Sequence, residues 1–236
     1  MNEKKPSRVK AWLLRLFFIV VIVISLGLIF NQQVKDFLVD HYQPAVSRQT
    51  IQQNKQKKGD YDFSNVKSLD LKTVAQARLN KQKINVIGEI SIPAIKMNLP
   101  IAKGVTNLTL ALAAGTMRDD MVMGKGNYAL AGHNMHTKNI LFTPLYRKSK
   151  VGQKIYLTDL KHVYQYKIYK RTFIAATRVD VVNDTPNRNI ITLITCDAHG
   201  KNRLLVRGTL QKTMKFNDAP KTVQKQLSAK FTNTLN

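Results

Sequence analysis

The chain of 236 residues contains a single cysteine, Cys196, which is the first residue to consider as a nucleophile. One cysteine excludes an internal disulfide and any metal site built from several thiolates. On composition alone, a lone cysteine is more often an inert core residue than a reactive one. Whether Cys196 is reactive therefore depends on its neighbours.

Cys196 ends the apolar run IITLITC, which predicts a β-strand. The next residues, DAHGKN, include Gly200 and indicate a turn, and RLLVR then begins a second strand. If the two strands pair as a hairpin, Arg203 returns beside Cys196. Arg207 shares a face with Arg203 but lies roughly 13 Å further along the strand. Arg203 is therefore the cation that we expect near the thiol.

A histidine close to the thiol could exchange a proton with it, because imidazole titrates near ~6.5 and a free thiol near ~8.5. Of the five histidines, His41 and His162 are expected on the solvated surface. His199 follows the cysteine by three residues, and His133 ends the apolar strand LAGH, where small neighbours leave space. From the residues alone these two are about equal as partners, and His136 ranks third.

The elements that must position these groups are short apolar or alternating runs broken by turn residues, beginning at Ile84. Such spacing, rich in Ile, Val, Tyr and Thr, predicts an antiparallel barrel or sandwich. Thr106 or Asn107 should cap one helix that Gly115 ends, and a second helical turn is expected around 142–147. The predicted strands are 84–92, 99–103, 127–132, 154–159, 162–175, 178–182, 190–196 and 203–211.

The N-terminal part is typical of a membrane anchor. Residues 16–30 carry no charge, and with Arg15 snorkelling the apolar run reaches back to Trp12, roughly 19 residues against the ~20 that a spanning helix needs. The basic residues before it place the N-terminus in the cytoplasm and residues 31–236 outside. A cleaved signal peptide is the alternative, but the end of the run lacks small residues before a cut site. We predict an uncleaved, single-pass anchor in the cell membrane.

The charge is unusual, since 38 Lys and Arg against 14 Asp and Glu give a formal net charge of +24. Such a field favours polyanions, including nucleic acid, anionic lipid head groups and phosphate-rich wall polymers. The basic residues are spread along the whole chain, so the charge describes the surroundings and does not specify a reaction. Nucleic-acid binding is disfavoured by the predicted topology and by the lack of an aromatic-basic motif.

Three strings in the sequence resemble the motifs of the sortase family. TLITC at 192–196 is similar to the nucleophile signature, LAGH at 130–133 to the histidine motif, and RLLVRG at 203–208 to the arginine strand. They occur in the family's order behind an N-terminal anchor, and the resemblance covers about residues 84–211. It implies a mainly β fold, a sortase-like eight-stranded β-barrel with one or two short helices, preceded by a single N-terminal transmembrane helix.

The resemblance also implies roles for individual residues. Cys196 would be the nucleophile, His133 the general acid and base, and Arg203 the group that stabilises the oxyanion or positions the substrate. His199 then becomes a loop residue, and Thr195 helps to shape the site. An apolar groove should hold the Leu and Pro of the LPXTG-like signal that sortases cleave. Each valine in this groove could equally well be an ordinary residue of the barrel core. The groove candidates are Ala131, Val179, Val181, Val182 and Ile194, with Met117 and Arg118 at the border.

The implied activity is cysteine transpeptidation at the cell wall of Gram-positive bacteria. An LPXTG-like C-terminal sorting signal of a secreted protein would be cleaved between Thr and Gly through a thioacyl enzyme. The substrate protein would then pass to an amine of a lipid-linked peptidoglycan precursor. Two alternatives stay open: a hydrolytic cysteine peptidase, and a non-enzymatic cationic envelope protein that binds anionic wall polymers and membrane lipid.

Within the family, the resemblance is strongest to the housekeeping class A type, through the short anchor, the lack of a second span and the stretch LFTPLYRKSKVGQKIYLTD. RLLVRG is also similar to the pilin-polymerising class. Some class A members bind calcium, and the corresponding stretch here holds Asp119 and Asp120. Lys125 in the same stretch puts a positive charge where calcium needs oxygen ligands. We therefore expect no metal site and no cofactor, with calcium stimulation as the alternative.

The predicted organisation has five parts. The segment that follows the anchor is rich in Gln, Lys and Asn, with one amphipathic helix expected at 69–79. The parts are a basic cytoplasmic N-terminus (1–11), a transmembrane signal anchor (12–30), a polar extracellular stalk (31–83), a catalytic barrel (84–211) and a basic C-terminal tail (212–236).

Overall fold

The structure is a computed structural model that describes residues 8–30, 43–63, 66, 84–135, 139–197 and 200–232. Helix α1 (Arg8–Ile29) covers most of the segment predicted to be the anchor. It is long and apolar enough to cross a membrane, and none of its window Val9–Ile29 is buried against the rest of the chain. The helix predicted at 69–79 lies outside the described residues.

Eight strands close into one barrel in the order β1-β2-β3-β4-β7-β8-β6-β5, which confirms the predicted fold class. Most neighbours are antiparallel, but β2 pairs with β3, and β4 with β7, in parallel. The strands are β1 Val86–Ile92, β2 Met97–Ala102, β3 Ala114–Thr116, β4 Asn127–Ala131, β5 Lys154–Thr158, β6 His162–Ala175, β7 Ile190–Cys196 and β8 Asn202–Lys215.

The alternation of side chains along β7 and β8 separates the barrel interior from its outer face. In β7 the inward residues Ile191 and Leu193 belong to the main apolar core, which also holds Leu204 of β8. Ile194, between the inward positions, belongs to a separate small cluster. The strand therefore buries one side in the core and presents the other, with Cys196 at its end, on the outer face.

Two predicted helices are confirmed, the first with its cap and the second with its proline. Helix α3 (Asn107–Leu112) begins after Thr106, whose side chain accepts a hydrogen bond from the amide of Thr109. Helix α4 (Thr143–Lys148) carries a proline in its first turn. The predicted helix end at Gly115 is wrong, because Gly115 lies in β3 and pairs with β4. Its lack of a side chain lets β3 lie against the carbonyl of Gly104.

The strand predicted at 178–182 is also wrong. The chain forms a 3₁₀ helix at Val179–Val182. The carbonyl of Val181 accepts hydrogen bonds from the side chains of Asn127 and Arg207, which takes it out of any strand ladder. Val181 and Val182 of this short turn pack on the outer face of the barrel, whereas Val179 is exposed.

Both terminal segments of the described domain lie against the barrel. Helix α2 (Arg48–Lys55) packs on β1, where Ile51 is buried and the side-chain amide of Asn54 donates to the carbonyl of Val86 at 2.9 Å. At the other end a 3₁₀ turn (Phe216–Asp218) leads into helix α5 (Lys221–Leu227), which buries apolar side chains against β5 and β6. The boundaries of the stalk and the tail stay predictions, but these parts of them are packed.

Candidate active site

The hairpin of β7 and β8 brings Cys196 and Arg203 together, as predicted. The two strands are antiparallel, and Cys196 pairs with Arg203 in the last register position before the turn. Both residues are half-buried, and the thiol of Cys196 is free. A half-buried thiol at the open end of a strand is accessible to a substrate while its backbone is fixed by the sheet.

His133 reaches the same place from the neighbouring strand. The amide of Gly132 donates to the carbonyl of Ile194 at 3.1 Å, which continues the parallel pairing of β4 with β7 beyond its last residue. The side chain of Asn134 donates to the carbonyl of Cys196 at 3.2 Å. His133 lies between these two bonded residues, so its backbone is fixed alongside that of Cys196.

The environment of His133 favours a neutral imidazole. The ring is half-buried, and its Nε2 is shielded from solvent without a hydrogen-bond partner among the described residues. Burial lowers the pKa of His133 to about 4 because the low dielectric disfavours the charged ring. At neutral pH the imidazole is therefore uncharged and has a nitrogen lone pair that can accept a proton, but its lowered pKa makes it a weaker base than a free imidazole.

The residues before His133 and Cys196 connect their two segments. Thr195 is buried, and its hydroxyl donates to the carbonyl of Gly132 at 2.7 Å. Gly132 is required for a second reason, because a Cβ there would lie 2.6 Å from the ring of Phe142. Gly132 in LAGH and Thr195 in TLITC therefore fix the spacing between the segment that carries His133 and the segment that carries Cys196.

The guanidinium of Arg203 is held by the turn that follows Cys196. Its Nη1 donates to the carbonyl of Gly200 at 2.8 Å and to that of Asn202 at 3.1 Å. Both carbonyls accept from the same nitrogen, Nη1. Within the part of the chain that the structure describes, Nε and Nη2 have no acceptor and remain available as donors. The group can therefore stay anchored while it binds a developing negative charge.

Comparison with known proteins identifies the family that carries this arrangement. A model of the sortase domain matches residues 90–211, which include Cys196, His133 and Arg203. The chain belongs to the sortase family. It is 37% identical to Sortase A of Streptococcus agalactiae serotype III (strain NEM316) over 241 residues, covering 98% of this chain and 97% of that protein. It is also 37% identical to Sortase A of Listeria monocytogenes serovar 1/2a over 205 residues, with 84% and 91% covered.

Solved structures agree with the fold. The crystal structure of Listeria monocytogenes sortase A superimposes with a TM-score of 0.56 at 42% identity, covering 60% of this chain and 96% of that one. Sortase C-3 of Streptococcus pneumoniae superimposes with a TM-score of 0.59 over 86% of this chain and 100% of that one, but at 19% identity it supports the fold alone. The sequence resemblance to sortases, and to Sortase A proteins within them, is confirmed.

The sortase barrel carries a small apolar cluster on its outer face beside Cys196. Its buried members are Val181, Ile194 and Leu205, and Met117, Ile174 and Val182 pack against them. Ile194 precedes Cys196 by two residues and shares its face, so the cluster begins next to the thiol. We call these six residues the outer groove, because we expect the apolar residues of the substrate to bind along them.

The outer groove contains part of the predicted set. Val181, Val182 and Ile194 belong to it, whereas Val179 is 73% exposed and Ala131 is half-buried outside the cluster. Leu205 and Ile174 were missed. Leu205 could have been found from register, because it pairs with Ile194 just as Arg203 pairs with Cys196.

Among the other histidines, the structure describes His162. His162 begins β6 with its ring beside Tyr164, and His41, His136 and His199 lie outside the described residues. Among the described residues, no group of three or more His, Cys, Asp or Glu side chains could hold a metal ion.

The two acids of the stretch compared with calcium sites are bound by cations of the chain itself. Asp119 accepts from Lys103 at 2.9 Å and from the hydroxyl of Tyr61 at 3.0 Å. The hydrogen bond from Lys103 lowers the pKa of Asp119. Asp120 binds Arg118 at 3.0 Å. Calcium dependence stays a prediction to be tested.

Proposed function

We propose that this sortase is a membrane-anchored cysteine transpeptidase of the class A type. It cleaves an LPXTG-like sorting signal between Thr and Gly and transfers the substrate protein to an amine of a lipid-linked peptidoglycan precursor. The observation that carries this proposal is the meeting of Cys196, His133 and Arg203 at one end of β4, β7 and β8. Relatives that span nearly the whole chain and are named Sortase A support it.

The first half of the reaction breaks the peptide bond. The sulfur of Cys196 attacks the carbonyl carbon of the signal's Thr, and its proton passes to the neutral imidazole of His133. Arg203 donates to the oxygen that becomes negative in the tetrahedral intermediate. The imidazolium then protonates the departing Gly amine, which leaves a thioester on Cys196 and returns His133 to its neutral form.

The second half of the reaction joins the acyl group to the acceptor. His133 takes a proton from the incoming amine as the amine attacks the thioester. The bond from the acyl carbon to sulfur breaks, and the imidazolium returns the proton to the departing sulfur, which restores the Cys196 thiol and the neutral imidazole. The outer groove supports this assignment because it offers apolar side chains next to Cys196, where the Leu and Pro of the signal would bind.

The anchor supports a surface location for the reaction. Helix α1 is apolar and unburied, and basic residues precede and begin it. We propose that the N-terminus is cytoplasmic and the barrel extracellular. Secreted proteins and lipid-linked wall precursors are then on the same side of the membrane as Cys196.

A set of three alanine variants tests the catalytic assignment on a fluorescent LPXTG-type peptide. We expect Cys196→Ala and His133→Ala to abolish cleavage and His199→Ala to retain most of it. Loss of activity only in the His199 variant would overturn the choice of base. Thiol labelling of the wild type is the companion measurement, since an unreactive Cys196 at native pH supports the non-enzymatic alternative.

Product analysis separates transfer from hydrolysis. With a glycine-type amine present, a transpeptidase forms the amide of that amine, and without it the thioester is slowly hydrolysed. A product that is unchanged by added amine would make the protein a hydrolytic cysteine peptidase.

A further inference from the structure

The 3₁₀ helix at Val179–Val182 covers the outer groove, and we call this helix the roof. The side chain of Val181 is buried against Ile194 and Leu205, and that of Val182 packs against the same cluster. A turn of four residues has little hydrogen bonding of its own; the amide of Asn183 donates to the carbonyl of Asp180 at 3.1 Å. The position of the roof therefore depends on contacts from outside the turn.

Arg207 supplies one of these contacts. It is half-buried on the outer face of β8 and pairs with Thr192 of β7. Its Nη2 donates to the carbonyl of Val181 at 2.8 Å, and its Nε contacts the hydroxyl of Thr192 at 3.3 Å. Arg207 lies four residues beyond Arg203, so it holds the roof and not the thiol.

Arg118 supplies a second contact from the segment after β3. Its Nη1 donates to the carbonyl of Val182 at 2.8 Å, the carbonyl next to the one that Arg207 holds. Its Nη2 binds Asp184 at 2.9 Å, and the same carboxylate oxygen accepts from the amide of Asn127 at 2.8 Å.

Asn127 donates hydrogen bonds to acceptors that both arginines also use. It is 1% exposed, and its Nδ2 donates to the carbonyls of Val181 and Asn183 at 3.0 Å each. Its Oδ1 accepts from the hydroxyl of Thr192 at 2.7 Å, the same hydroxyl that Arg207 contacts. The carbonyl of Val181 thus receives two donors, which satisfies both of its lone pairs.

We propose that Arg207 is a positioning residue that fixes the depth of the outer groove and thereby its selectivity for the side chains of the sorting signal. This inference rests on the proposed function, because it concerns the substrate of the same site. Arg207 acts through the backbone of Val181, whose side chain closes the groove above Ile194. Without the guanidinium the roof retains Arg118 and Asn127, so the groove persists but widens.

Arg207→Met and Arg178→Met form a matched pair of variants. Both remove an arginine that contacts the roof, but Arg178 is exposed, and among the described residues its guanidinium binds the carboxylate of Asp180 alone. For an LPXTG-type peptide we expect Arg207→Met to raise KM about 10-fold, the value of one charge-assisted hydrogen bond, with kcat within about twofold of wild type. Arg178→Met should match the wild type.

Selectivity gives the second readout. The ratio of kcat/KM for the Leu peptide to that for the same peptide with Ala in place of Leu should fall in Arg207→Met. It should recover in part in Arg207→Lys, which keeps the charge and one donor. Equal KM and equal selectivity in Arg207→Met and Arg178→Met, or a loss of kcat alone, would overturn the inference.

Hydrogen exchange separates this inference from the proposed function. Backbone amides of residues 180–184 should exchange faster in Arg207→Met than in Arg178→Met, with or without a substrate. If the wild type cleaves no LPXTG-type peptide, the proposed function fails while the exchange still tests the roof. If the wild type cleaves and neither exchange nor selectivity changes, the inference alone fails. If Arg207→Met does not fold, Arg118→Met makes the same test, because Arg118 donates to the neighbouring carbonyl, that of Val182.

Discussion

Replacement of Thr195 by valine is expected to weaken both the fold and the reaction. The hydroxyl of Thr195 is buried and donates to the carbonyl of Gly132 at 2.7 Å. Valine fills almost the same volume, so the change deletes the hydrogen bond without opening a cavity. It leaves the buried carbonyl unpaired, which costs about 1–3 kcal/mol of unfolding free energy.

The same hydrogen bond affects catalysis because Gly132 precedes His133 and Thr195 precedes Cys196. Its loss lets the two segments shift relative to each other. A displacement of about 1 Å between reacting groups costs on the order of 100-fold in rate, so we expect kcat to fall between about 10-fold and 100-fold. The KM for the peptide should change less, since the outer groove is untouched.

Thr195→Ser is the control, because it keeps the hydroxyl. Urea unfolding gives the stability difference, and cleavage of an LPXTG-type peptide gives kcat. The reasoning is refuted if the valine variant matches the wild type within about 0.5 kcal/mol in unfolding free energy and about twofold in kcat.

Three further predictions concern packing, pH and metal. Gly132→Ala places a Cβ 2.6 Å from the ring of Phe142, and the forced shift should cost about 1–3 kcal/mol and lower Tm; an unchanged Tm contradicts the packing argument. Glu89 is buried, and desolvation raises its pKa from 4.5 to about 8. The folded state therefore retains a proton that the unfolded state releases, and stability falls as pH rises from about 4.5 to about 8, by up to roughly 3–5 kcal/mol. Glu89→Gln should flatten this slope in urea unfolding at several pH values, and an unaltered slope excludes Glu89 as its source. Because Asp119 is already bound by Lys103, removing calcium with EDTA should leave the cleavage rate unchanged; stimulation by added calcium would show that the ion displaces the lysine.

The parts of the site that lie close in sequence could be predicted, and those joined by distant contacts could not. The pairing of Cys196 with Arg203 follows from a hairpin, where turn and alternation determine the register. The choice between His133 and His199 needed the family resemblance. The segment of His133 lies beside that of Cys196 through the parallel pairing of β4 with β7, and no short-range pattern specifies that pairing.

The prediction at 178–182 failed for a related reason. Its alternating apolar residues satisfy the pattern of a strand, but the carbonyl of Val181 is held by Arg207 and Asn127, which come from two other parts of the chain. Side-chain donors that arrive from distant strands leave no trace in local periodicity. Likewise β3 has only three residues, Ala114–Thr116, too few to show any alternation.

The parallel contact between β4 and β7 has a consequence for how the enzyme acquires its activity. Gly132 and Thr195, which join the two active segments, are 63 positions apart in the chain. Closing so large a loop is entropically slow and is repaid only when the intervening strands have paired. We therefore expect the segments of Cys196 and His133 to come together late in folding, so that a partly folded chain carries a cysteine without its proposed base.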